Sequence, residues 1–501
     1  MPMTDEQRPG FPADREHHPL PPEDGERNPT RREFLLAGAA AAGATLLSSC
    51  FGGGGGGEDA PPLEEIVAVD PLTRFAHLVV VMFENRSFDN LLGYLYAQGA
   101  TPADWPAAVP VPPPLPAGQS FDGLFGKSLH NDDGSRKVHA HPHAFAPANT
   151  TTSDWTHPDP DPGEGYAHTA AQVAGGKMSG FVDDYRKAHS GLSTAKVDAI
   201  MGSYAPGHLP VLAALAQQFA VFDHWHSAVP SETYCNRSFF HASTSSGFVE
   251  NSPKDKWRQN TAPTIFDRLA AASPAPSWKV YFEQAATEAG REEFPHGLTG
   301  FVHPETSRKH AGNFVDWTQF ATDAAQGSLP AYSFFERLYG GHDDFHPPGD
   351  VRNGEEVLRQ VYEAIRTSGS KGPHDYTQDT LLLVVFDEHG GCYDHVAPPT
   401  NVPAPVNPPV PGEQGCDFTS LGPRVPALAI SAHTPAGTVV NRPMHHAAVI
   451  RTLCRKYGLA PLTDRDRDPD GGDLSVALGL ATPRAASSWP AFPVKVSPTP
   501  G

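Results

Sequence analysis

Cysteine is scarce in this chain, with five among 501 residues. They are Cys50, Cys235, Cys392, Cys416 and Cys454, and no two stand at C-x-x-C spacing, which argues against a zinc-thiolate site. Basic residues are in deficit as well: 37 Lys and Arg against 57 Asp and Glu leave a net charge of −20. Nucleic acid is thereby excluded as a partner, because a phosphate backbone is gripped by concentrated Lys and Arg. Long apolar runs are missing too. The N-terminal stretch 30–50, "TRREFLLAGAAAAGATLLSSC", is weakly hydrophobic. It falls short of the roughly 20 apolar residues that a membrane span needs.

That stretch reads instead as a targeting signal. Arg31-Arg32 followed by Phe34-Leu35 has the twin-arginine pattern, and a short Ala/Gly/Leu segment follows. "LSSC" resembles a lipoprotein-processing site, with Cys50 as the residue to be lipidated, and six glycines, 52–57, then make a flexible tether. The expected organisation is a disordered N-region plus twin-arginine signal over 1–50, a linker over 51–70, one catalytic domain over 71–480 and a tail over 481–501. The expected route is the twin-arginine export machinery, ending at the cell envelope or outside the cell, with the membrane reached through a lipid anchor. An ordinary cleaved signal is the alternative for Cys50. Proteins on that route fold before export, so a disulfide framework is not required.

What the chain has in abundance is Gly and Pro, 47 and 53 residues, which predicts long loops. Apolar runs at 78–83, 219–222, 278–282, 331–335, 381–386 and 425–431 are mostly continuous rather than alternating. That suits strands buried on both faces. Helical spacing recurs at 209–219, 355–367 and 446–457. Strands alternating with helices predict an α/β fold with a central sheet sandwiched between helices. Two Pro-rich stretches, near 99–165 and 398–415, read as loop insertions.

Two of the strands end alike. "HLVVVMFENRSFDN" runs from an apolar strand into Glu84, Asn85 and Arg86; "TLLLVVFDEHGGCYDHVAPP" runs into Asp387 and Glu388, then Asp394 and His395. Ligands bind beyond the carboxyl ends of strands in open α/β sheets. Parallel neighbours would bring three carboxylates and an amide together, and such a group repels itself unless a hard divalent cation neutralises it. A third segment, "FAVFDHWHSAVPSETYCNRSFFHAS", sets Thr233 just before a predicted helix, with Asn236 and Arg237 behind it. A hydroxyl near helix N–H groups is placed for nucleophilic attack.

Together with "MGSYAPGHLPVLAALAQQFAVFDHW" and "LGPRVPALAIS", these motifs resemble the bacterial phosphoesterase family of phospholipases C and AcpA-type acid phosphatases, over about residues 75–466. The resemblance implies an alkaline-phosphatase-like fold and hydrolysis of phosphate esters through a metal-bound hydroxyl. Carried over by position, Glu84, Asn85, Asp387, Glu388 and Thr233 are the metal ligands, the ion being Ca²⁺, Mg²⁺, Mn²⁺ or Zn²⁺. Thr233 is the nucleophile, and His346 and His168 contact phosphate or protonate the leaving group. Arg86, Asn236, Arg237, Asp394 and His395 support them from behind. The family's "GPTxPNR"-like turn is altered here, with Ser231, Glu232 and Cys235 replacing Gly, Pro and Pro. The expected substrate is a phospholipid. A small phosphomonoester is the first alternative, and a non-catalytic envelope lipoprotein on the same fold is the second. The dense "HAHPHAF", 139–145, is expected to be a solvated insertion.

Overall fold

The computed structural model describes residues 69–145, 152–285, 287–338 and 343–492. The signal, Cys50, the glycine tether and residues 493–501 lie outside the described residues. None of the described helices is long and apolar enough to cross a membrane.

The six predicted runs lie in one eight-stranded sheet, together with two short edge strands, Phe314–Asp316 and Thr438–Val440, that the sequence reading did not pick out. In chain order its strands are β1 (His77–Phe83), β2 (Ala220–Phe222), β3 (Trp278–Phe282), β4 (Phe314–Asp316), β5 (Tyr332–Glu336), β6 (Thr380–Phe386), β7 (Ala427–Ile430) and β8 (Thr438–Val440). Across the sheet the order is β8-β2-β7-β6-β1-β5-β3-β4. All the pairings are parallel except the two made by β7, which runs antiparallel to β6 and β2. Periodicity carries no information on strand direction, so that reversal was not visible in the sequence. β1, β5 and β6 are buried along almost their whole length. Strands covered on both faces have no reason to alternate, which explains their continuous apolar runs.

The principal helices are α1 (Tyr166–Val173), α2 (Phe181–Ala188), α3 (Pro210–Gln218), α4 (Thr233–Ala242), α5 (Val351–Arg366) and α6 (Ala447–Tyr457). α3 packs on α5 and α6 packs on α4. Helix α5 starts four residues earlier than its apolar period suggests, because the Asp350 side chain accepts the Arg352 N–H and fixes the first turn there. Ala68–Gly501 is one compact unit. The insertion near 99–165 is not a loose appendage. It carries a small hairpin, His130–Asp132 with Lys137–His139, and its residues Leu124, Phe125 and Val138 join Phe181, Val182 and Tyr393 in a separate apolar cluster. His143, expected in a solvated tract, is buried and stacks on His157 at 5.1 Å. Burial holds its imidazole far below the ordinary range. The four described cysteines are free and buried.

Candidate active site

Strand register builds the site. β1 and β6 pair with Phe83 opposite Phe386, so Glu84 and Asp387 leave the sheet side by side. On the other flank Met82 pairs with Glu336, the last residue of β5. Three neighbouring strands therefore deliver three buried carboxylates to one edge. One guanidinium bridges all of them: Arg237, from α4, donates to Glu84 Oε1 at 2.9 Å, to Asp387 Oδ2 at 3.0 Å and to Glu336 Oε2 at 3.1 Å. Expected in a supporting role, Arg237 is the hub of the strand ends.

Asn85 occupies the centre. Its backbone is left-handed, with φ 56°, and its N–H donates to Asp387 Oδ1 at 3.1 Å. Gly390 presses against it so closely that a Cβ there would lie 2.1 Å from the Asn85 carbonyl oxygen. Its side-chain Oδ1 accepts the Thr233 hydroxyl at 3.3 Å, and Nδ2 donates to Glu164 Oε2 at 2.6 Å and contacts His346 Nε2 at 2.9 Å. One amide thus joins the strand end, the helix start and both loops.

The altered turn before α4 is intact. Asn236 Oδ1 accepts the Val229 N–H, and its Nδ2 donates to the carbonyls of Val229, Ser231 and Glu232. Thr233, the first residue of α4, is fully buried. The following N–H, that of Tyr234, is taken by Asn251 Oδ1, so it does not face a substrate. Burial and a hydrogen bond with Glu250 push the Glu232 carboxyl up to about 8.

Charge in the cup is unbalanced. Glu84, Glu336, Asp344, Asp387 and Glu388 are buried, facing Arg237 and His346. Burial raises all five carboxyls, those of Glu84 and Glu388 well above the usual range. Glu164, beside Glu388, is pushed up to about 7 by burial and by Asp161. Burial alone would lower His346, but Asp161, Glu164, Glu84 and Asp344 outweigh it and raise the imidazole to about 9. Glu84 Oε2, Asp344 Oδ2 and Glu388 Oε1 are buried without a hydrogen-bond partner. Orphaned anionic oxygens around an excess of carboxylate fit a hard divalent cation. Asn85 Oδ1 and the Thr233 hydroxyl stand together there, and Asp161, Glu164 and His346, whose ligand atoms lie within 4.8 Å of one another, border Asn85. Asp387 has both oxygens engaged, Oδ1 by the N–H groups of Asn85 and Glu388 and Oδ2 by Arg237, so it shapes the cup more than it offers a ligand.

Other expected residues sit elsewhere. His168 pairs with Asp184 at 3.0 Å and its side chain is 43% exposed, against 14% for His346. It lies on the outer side of α1, and Glu164, just ahead of that helix, is the residue that reaches Asn85. Asp394 and His395 face away from the cup. They join Asp89 and Arg424 in a network of their own, with Arg424 donating to Asp394 Oδ1 and Asp89 Oδ1 and His395 bonded to Asp89 Oδ2. Arg86 touches no carboxylate of the cup. It donates to the carbonyls of Phe345 and His157 and to Asn90 Oδ1, which ties two loops to the short helix Phe88–Leu92.

Five contributors were missed in the sequence: Asp161, Glu164, Glu336, Asp344 and His446. Glu336 carries the same signal as the others, an apolar strand ending in a carboxylate. Asp344 lies two residues before His346. His446 is held neutral by burial, lowered to about 4, and its Nε2–H donates to the Asp387 carbonyl at 2.6 Å while Nδ1 accepts the Trp225 indole. A surface cleft of about 950 Å³, lined by Asn401, Pro403, Val406 and Asp468 among others, includes none of the cup residues.

Residues 75–460 match the Phosphoesterase family. The chain is 30% identical to non-specific phospholipase C3 of Arabidopsis thaliana, over 81% of this chain and 74% of that protein. It is 26% identical to the non-hemolytic phospholipase C of Pseudomonas aeruginosa, over 81% and 57%. Of solved structures, a phosphonate monoester hydrolase of Agrobacterium radiobacter aligns with TM-score 0.30 and 15% identity, over 54% of this chain and 72% of that one.

Proposed function

The chain belongs to the phosphoesterase family and is a hydrolase of phosphoric ester bonds, and from that premise we propose that it is a phospholipase C using Thr233 as nucleophile. The observation that carries this reading is the Thr233 hydroxyl on Asn85 Oδ1, inside a cup of orphaned carboxylate oxygens. A divalent cation held by Asn85, Glu388, Thr233 and Glu84 would supply a lowered hydroxyl pKa and a counter-charge for the phosphate oxygens.

The residues of the chain do the rest. Asn85 orients the hydroxyl, and Thr233 Oγ1, its proton passed to water, attacks phosphorus as the bond from phosphorus to the lipid glycerol oxygen breaks. His346, the cation beside Asn85, gives the departing oxygen its proton. Water then attacks the phosphothreonine, the Thr233 Oγ1–P bond breaks, and the phosphorylated head group leaves. A diester with one negative charge suits this cup better than a dianionic monoester. Arg237 is fully engaged by three carboxylates, which leaves His346 as the cation near Thr233.

The test compares diacylglycerol release from phosphatidylcholine with phosphate release from p-nitrophenyl phosphate, with and without chelator. Thr233→Ala is expected to lower lipid turnover at least 10³-fold. Retained turnover in that variant refutes the nucleophile, and monoester activity exceeding lipid activity refutes the substrate class. Export through Arg31-Arg32 and anchoring through Cys50 complete the proposal. Arg31→Lys with Arg32→Lys should leave the protein in the cytosol, and Cys50→Ala should abolish labelling by radioactive fatty acid.

A further inference from the structure

The end of the sheet opposite the active site holds a second cluster of metal-ligating groups. His77 opens β1, where Glu84 follows its close; seven residues of strand put about 20 Å between the two ends. We propose that His77, His374 and Asp379 form a binding site for a borderline divalent metal, Zn²⁺ being the best match, independent of the catalytic cup. One ligand atom from each residue lies within 4.8 Å of the others.

The tautomers suit a metal. His77 Nδ1 lies 2.9 Å from the Pro330 carbonyl. A carbonyl can only accept, so Nδ1 carries the proton and Nε2 presents its lone pair. Metal-bound histidines are commonly held in this way by a backbone carbonyl behind the ring. His374 Nε2 lies 3.0 and 3.1 Å from the two oxygens of Asp379. Donor atoms bound at 2.0–2.1 Å around tetrahedral Zn²⁺ stand about 3.3 Å apart. That pair is therefore close to ligand spacing already, and an ion would take the place of the proton they share.

The frame is rigid. Ala76 and His77 both donate their N–H groups to the Asp379 carbonyl, at 2.7 and 3.1 Å, and His77 pairs in register with Thr380. The Tyr376 hydroxyl accepts the Leu329 N–H, and the Asp375 carboxylate accepts from Thr377. The His77 ring meets Tyr376 edge-on at 4.9 Å and His374 at 5.7 Å. The side chains of His374 and Asp379 are 41% and 30% exposed, so the fourth position opens to water. Two imidazoles and one carboxylate favour Zn²⁺ over Mg²⁺ or Ca²⁺, which prefer all-oxygen shells.

The experiment strips the full chain with chelator, titrates it with Zn²⁺ in a Mg²⁺ buffer, and reads binding by calorimetry and metal content after dialysis. Wild type is expected to hold one more Zn²⁺ per chain than His374→Gln or Asp379→Asn, with phosphoesterase kcat/KM of both variants within about twofold of wild type. Glu388→Gln, which alters the catalytic cup, should keep this equivalent. Equal Zn²⁺ content in wild type and both variants overturns the proposal. Loss of the equivalent in Glu388→Gln overturns it as well, because the ion would then belong to the cup.

Discussion

Replacing Arg237 with methionine preserves most of the side chain's volume and removes its charge. Three carboxylate oxygens, on Glu84, Glu336 and Asp387, then lose their charged donor at once, and only that of Glu336 keeps another, the Thr299 hydroxyl. Charge-assisted hydrogen bonds contribute about 1.5–3 kcal/mol each, so three independent bonds would sum to roughly 4.5–9 kcal/mol. They share one guanidinium and are not independent. Removing one partner of a buried ion pair costs about 3–5 kcal/mol, and the two ranges meet near 5. For a folded unit of roughly 430 residues the unfolding entropy is about 0.9 kcal/mol/K, so Tm should fall by about 5–6 °C. Differential scanning calorimetry with chelator present, at one fixed scan rate, measures it. Glu336→Gln is the control. It removes one charge and keeps a single oxygen, whereas Thr299 donates its N–H to Oε1 and its hydroxyl to Oε2, and about 1–3 kcal/mol is expected. A Tm for Arg237→Met within 1 °C of wild type would refute the reasoning, as would a Glu336→Gln loss equal to that of Arg237→Met.

Further predictions concern the loops and one distant carboxyl. His346→Ala should reduce kcat by about 10²–10⁴-fold, whereas His168→Ala, on the exposed side of α1, should stay within about threefold of wild type; steady-state kinetics on phosphatidylcholine separates the two. Glu164→Gln should weaken divalent-cation activation about 10–100-fold, and an unchanged activation curve would remove Glu164 from the site. Glu355 is buried beneath the start of α3, where it accepts the Val211 and Leu212 N–H groups, and burial pushes its carboxyl up to about 7. A raised carboxyl favours the folded state below its unfolded value, near 4.5. That stability is lost as pH rises through about 7, by roughly 3 kcal/mol in all. Glu355→Gln should flatten urea-unfolding stability between pH 4.5 and 7; an unaltered pH slope in that variant would assign the effect to another group.

The sheet was legible because its strands are covered on both faces. Runs such as 381–386 have no polar residue to blur them, and their carboxyl ends announce themselves by an abrupt carboxylate. Glu84, Asn85, Asp387 and Glu388 follow strand ends of that kind, and Thr233 opens the helix expected after it. What the sequence hides is which distant segment folds over the edge. Asp161 and Glu164 lie in a Pro-rich insertion with no periodicity, so nothing local shows that Glu164 reaches Asn85 while His168, four residues on, points outward. The bridging role of Arg237 was hidden for a related reason. Its three partners come from three strands, and only the parallel register of β5, β1 and β6 brings them within reach of one guanidinium.

Thr233 and Arg237 are one helical turn apart, on the same face of α4. The attacking hydroxyl and the bolt that fastens the helix to the sheet are therefore parts of one rigid body. A helix that begins at an active site would ordinarily fray at its first turn, but this one cannot loosen without freeing three buried charges. Opening of α4 should approach the free energy of global unfolding, which would leave its amides among the slowest to exchange with solvent. Any motion that admits a substrate then falls to the loops carrying Glu164 and His346, while the nucleophile stays where the sheet has fixed it.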